Sequence, residues 1–100
     1  MPGTLRFLDS GITSRVEERI RADFRKDADL IVQLLHGVES GNQDRERVIA
    51  AVVLGAEGDL GTLRQLIDLS RIDWRDVLVN GGLANTDWPT VMNERVGAAD

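Results

Sequence analysis

The chain has 100 residues, 42 % hydrophobic and 29 % charged, with two prolines, no cysteine and a formal net charge of −5. That is the size and make-up of one globular domain, and the lack of cysteine excludes disulfides, thiol catalysis and thiolate metal sites. Residues 1–50 carry eight basic and nine acidic side chains and residues 51–100 carry four and eight, so neither half supplies the clustered Lys and Arg that a nucleic-acid backbone or an anionic membrane surface needs.

Residues 1–13 read as an irregular N-terminal lead-in in which Leu5, Phe7, Leu8 and Ile12 are available to pack back onto the domain. They lack the basic start and apolar stretch of a signal peptide. The longest apolar run, VIAAVVL, has seven residues, far short of the roughly 20 that cross a bilayer. A cytoplasmic location is the expectation, with no membrane and no nucleic acid as partner.

The first helix is expected from Ser14, which with Glu17 matches a capping box. Apolar residues then recur at Val16, Ile20, Phe24, Ala28, Ile31, Leu35 and Val38, in steps of three and four that keep them on one helical face. Opposite charges four apart at Glu17/Arg21, Arg19/Asp23 and Arg25/Asp29 mark the wetted face, each pair contributing about 0.2–0.5 kcal/mol. The patch RKDAD at 25–29 is the expected place for a kink. Gly37, Gly41 and Asn42 end this element.

Asp44 is placed to cap a second helix over 45–56, with Glu46 in its first turn. VIAAVVL is rich in β-branched residues and suits a buried strand, but no comparable strand exists to pair with it. A helix apolar on nearly every side is central. Val52, Val53 and Leu54 cannot share one face, so some apolar area is expected to need a partner. Glu57, Gly58 and Asp59 then form a turn and a cap, and Leu60, Leu63, Leu66, Ile67 and Ser70 line one face of a third helix over 60–70. So short a connection makes these two an antiparallel hairpin.

IDLSRIDWRDVLVNGG, residues 67–82, packs Asp68, Arg71, Asp73, Arg75 and Asp76 beside Trp74. With Asp73 as N-cap, Ile72 and Val77 form a hydrophobic staple and Asp76 faces the helix dipole. Asn80–Gly82 then reads as a helix C-terminus. Thr86 or Asp87 caps a last short helix with Pro89 in its first turn, burying Trp88, Val91, Met92 and Val96. Residues 97–100 are a frayed tail.

Candidate chemistry is thin. His36, the one histidine, sits near a helix end, where the dipole suits it. Asp23 and Asp27 lie one turn apart, but without the Glu-x-x-His pattern of a bundle metal site. GAEGDLG spaces Gly55, Gly58 and Gly61 like a phosphate loop, yet Asp59 repels phosphate and the preceding segment is helical. These are turn glycines, with Gly61 a candidate for close helix approach. No nucleophile–base–acid set is present, so no catalytic, metal or cofactor residue is assigned. The ligand or interaction candidates are Asp68, Arg71, Trp74, Arg75, Asp76 and Trp88.

The pattern G-D-L-x-x-L-R, D-W-R-D-V-L and D-W-P in GAEGDLGTLRQLIDLSRIDWRDVLVNGGLANTDWP resembles a group of small bacterial all-helical proteins. The likeness is loose over 14–96 and best over 55–89. It implies a compact helical domain and no activity. AAVVLGAEGDLGTLRQLI also has the look of an ankyrin repeat, but the opening Thr-Pro-Leu-His and a second copy are missing.

The expectation is therefore an all-α domain over 14–96, a compact bundle of four to five helices around a central antiparallel hairpin, with Trp74 and Trp88 closing one side. Its leading function is a non-enzymatic protein–protein interaction or accessory module, with a homodimer among the arrangements. The competing reading is a small-molecule-binding protein or enzyme with an inter-helix site near Asp68, Arg71, Arg75 and Asp76.

Overall fold

The computed structural model describes residues 11–98. Its helices are α1 (Ser14–Phe24), α2 (Ala28–Leu35), α3 (Arg45–Ala56), α4 (Leu60–Gly81) and α5 (Trp88–Arg95), with a 3-10 turn over Arg25–Asp27. The architecture is the all-α bundle expected from the helical spacing, and no strand occurs among the described residues. Leu5, Phe7, Leu8 and the last two residues of the tail lie outside that range. Ile12 is buried in the core.

The seven apolar positions from Val16 to Val38 are all buried, so one stripe of sequence spans two helices. The break falls inside RKDAD, as expected: Arg25 takes a positive φ of 52° and the chain passes through the 3-10 turn before α2. The break also alters the predicted ion pairs. Glu17/Arg21 and Arg19/Asp23 form at 3.0 Å each. Arg25/Asp29 does not, because Arg25 has left helical register, and Asp29 instead lies 3.7 Å from Arg21.

The capping box at Ser14 and Glu17 needs correction. Thr13 is the N-cap, its carbonyl accepting from the Glu17 N–H at 2.9 Å. Its hydroxyl turns away and donates to the Glu46 carboxylate at 2.6 Å, a charged acceptor supplied by tertiary structure.

Asp44 caps α3, accepting from the N–H groups of Glu46 and Arg47 at 2.9 and 3.3 Å. Residues 48–54 and Ala56 are all buried. The expected excess of apolar surface at Val52, Val53 and Leu54 is therefore absent. Helices α1, α4 and α5 all contact α3, and this enclosure outweighs the weak preference of β-branched residues for strand.

Glu57 and Gly58, with φ of 50° and 79°, turn the chain. Asp59 then caps α4, accepting from the Thr62 N–H and hydroxyl, both at 2.8 Å. Helix α4 covers both the helix expected over 60–70 and the one expected to start at Asp73, with a bend between them. Asp73 adopts φ −156°, ψ 95° inside it, and its carboxylate accepts from the Arg75 N–H at 3.0 Å. It thus caps a second limb, 74–81. A Cβ at Gly55 would stand 3.0 Å from Leu66 Cδ1 and 3.5 Å from the Asn80 carbonyl. Residues fourteen apart on a straight helix are separated by about 21 Å, so the second limb folds back beside the first with α3 against both.

The bend overturns the predicted staple. Val77 is fully buried, but Ile72 stands 82 % exposed at the apex. Gly82, at φ 78°, ends the helix, with the Leu83 N–H bonded to the Leu78 carbonyl at 2.9 Å and the Gly82 N–H to Val79 at 3.1 Å. That is the left-handed glycine ending expected of NGG. Helix α5 follows with Pro89 in its first turn and Met92 fully buried.

Candidate functional site

The bend at Asp73 disperses the charged residues that lie together in sequence. Asp68 and Arg71 remain on the first limb, 3.7 Å apart. Trp74, Arg75 and Asp76 pass to the second. Arg75 lies over the Trp74 ring, 5.4 Å from its centroid, and Asp76 is exposed. The Trp74 indole lies against Gly41, whose positive φ and close neighbour leave no space for a side chain. At Trp88 the partner is different: the Arg47 guanidinium sits 4.9 Å from its ring centroid. The six candidates do not converge on one point.

A subset does border a shallow groove of about 210 Å³, formed by Leu34 of α2 and by Arg64, Ile67, Asp68 and Arg71 of α4. Two contacts give its direction. A Cβ at Gly58, just before α4, would lie 3.1 Å from the carbonyl of Asp23, in the last turn of α1 that leads through the 3-10 turn into α2. Arg71 Nε donates at 3.2 Å to the Gly37 carbonyl, just after α2. Helix α2 and the first limb of α4 therefore run parallel. Leu30 lies one turn before Leu34 on α2, and Ile72 follows Arg71 at the end of the first limb of α4. Both are among the exposed large hydrophobic residues. The groove thus combines two apolar side chains, Leu34 and Ile67, with a mixed-charge rim of Arg64, Asp68 and Arg71.

The arginines explain much of the remaining polar structure. Where the chain leaves a helix its carbonyls lack intrahelical partners, and here guanidinium groups reach carbonyls at or just beyond the ends of α2, α4 and α5. Arg45 donates to the Val38 carbonyl at 2.6 Å. Arg47 donates to Leu83 at 2.9 Å, Arg19 to Arg95 and Arg15 to Gly97 at 2.9 Å. Arg15 also grips Glu46 through Nε and Nη2 at 2.8 and 2.9 Å, and these side chains are only 12 % and 16 % exposed. The hydrogen bond from Arg15, helped by the one from Thr13, holds the Glu46 carboxyl below its usual pKa against the opposing effect of burial. This polar centre was missed in the sequence because Arg15 and Glu46 lie 31 positions apart and no local motif joins them.

Other candidates have structural places. The His36 carbonyl accepts from Arg45 at the end of α2, and Asp23 is paired with Arg19. No group of three metal-ligating side chains occurs among the described residues, and no helix there is long and apolar enough to cross a membrane. Gly61 lies open, a Cβ there meeting only the Asp59 carboxylate at 3.4 Å. Close helix approach is instead made at Gly81, where a Cβ would collide with the Ala51 carbonyl. No protein-family model, curated protein or solved structure matches the chain.

Proposed function

We propose that the protein is a non-enzymatic interaction module that docks a protein partner along the groove between α2 and the first limb of α4. The observation that carries this reading is a groove lined by Leu34 and Ile67 together with Arg64, Asp68 and Arg71, on helices that also carry the exposed Leu30 and Ile72, 39 % and 82 % accessible. Exposed aliphatic residues on the two helices that form a polar-rimmed groove suit a protein contact. The partner is another protein or a second copy of the chain. A cytoplasmic setting, without membrane or nucleic acid, fits the acidic composition.

The small-molecule reading is favoured by Asp68 and Arg71 lining the same groove. Size weighs against it, because pockets that engulf a drug-sized ligand hold about 300–1,000 Å³. Arg75 and Asp76 also lie on the other limb.

The test is a pull-down from the native cell extract with wild type and with Ile72→Asp, paired with light scattering on purified protein. A partner, or a dimer, lost in the folded variant supports the reading. Binding that is unaffected by Ile72→Asp and by Leu34→Glu excludes the groove as the docking surface.

A further inference from the structure

We infer that the groove takes a polypeptide segment carrying one apolar side chain flanked by an acidic residue, the apolar group resting on Leu34 and Ile67 and the carboxylate on Arg64. The inference rests on the docking role proposed above and specifies its partner.

Charge complementarity selects this occupant. Arg15, Arg19, Arg45, Arg47 and Arg71 each donate to a carbonyl or carboxylate of the fold. Arg64 lines the groove yet makes no hydrogen bond or ion pair among the described residues. Asp68, one turn further along α4, is spaced to accept from Arg64 but lies beside Arg71 instead. One guanidinium is thus left at the mouth of an apolar depression, offering two parallel donors that match a carboxylate. The depression is too small and open for an enclosed metabolite and is suited to a single projecting side chain.

The rest of the molecule limits the ligand's charge. The chain carries a net −5, and Asp68 borders the groove. A run of acidic residues is repelled, whereas one carboxylate placed at Arg64 is attracted. The contact is solvent-exposed, so its affinity is modest and falls with added salt.

The experiment selects a random peptide display library against the folded protein and maps the selected peptides by amide chemical shifts. The expected peptides carry an apolar residue with Asp or Glu within two positions, and they shift residues 30–37 and 64–72. Replacing that acid by Lys weakens binding about tenfold, and Arg64→Glu, on an exposed site that leaves the circular dichroism unchanged, reverses the preference toward Lys or Arg. Basic or uncharged peptides mapping to the groove overturn the inference while leaving the docking role in place, as does a dimer that occludes the groove. Peptides that map elsewhere, or a library that yields none, remove both.

Discussion

Arg15 and Glu46 hold the first turn of α1 to the first turn of α3 through two charge-assisted hydrogen bonds across 31 positions of chain. Arg15 also reaches Asn93 and the Gly97 carbonyl, so one side chain joins both ends of the domain to its central helix. Removing one member of such a pair leaves the other poorly solvated. Glu46→Ala is expected to cost about 2 kcal/mol, less than a fully buried pair because Arg15 keeps other partners. Urea denaturation measures it; a loss under a few tenths of a kcal/mol means the pair is a surface ornament.

The same pair sets an acid limit. Glu46 has a lowered folded-state pKa, chiefly through the Arg15 hydrogen bond, so the folded state favours its ionised form. The contribution is present above the ordinary value of 4.5 and is lost as pH falls through the depressed folded value. Asp59, held low by the Thr62 N–H, acts in the same direction. Stability measured from pH 6 downward should fall in wild type and fall less steeply in Glu46→Gln. Parallel curves for the two proteins would refute the assignment.

Two glycines of α4 should respond oppositely to alanine. At Gly81 the added Cβ meets the Ala51 backbone, which cannot yield without parting α3 from α4, and the expected loss is about 3 kcal/mol. At Gly61 the space is open, and alanine should stabilise by about 0.5–1 kcal/mol. Thermal melts of both variants check the contrast; equal effects would contradict the close approach at Gly81.

Ile72 offers a test of the bend. Because it is exposed, Ile72→Ser should change stability by no more than about 0.5 kcal/mol, while Val77→Ala should cost about 2 kcal/mol. A large loss at Ile72 would mean that it packs on Val77 after all.

Much of this architecture was legible because it is written in short-range chemistry. The stripe from Val16 to Val38, the caps at Asp44, Asp59 and Asp73, and the glycine ending at Gly82 depend on neighbours within a few positions. The readings that failed depended on longer reach. Thr13 displaced Ser14 as cap with its hydroxyl engaged by Glu46, and Ile72 lost its staple because the bend points it outward. Val52, Val53 and Leu54 were expected to show apolar surface, but spacing along one helix does not reveal how many others surround it. The groove was half legible: Asp68 and Arg71 were singled out, while Leu34, Arg64 and Ile67 were not, since only the parallel course of α2 and α4 unites them.

The enclosure of α3 carries a cost for any damaged form of the protein. VIAAVVL has no charge, no proline and a high content of β-branched residues, the make-up of a segment that stacks into cross-β fibrils once released. Its neighbours shield it only while the whole bundle stands, so trimming away a flanking helix should give insoluble material rather than a smaller working domain.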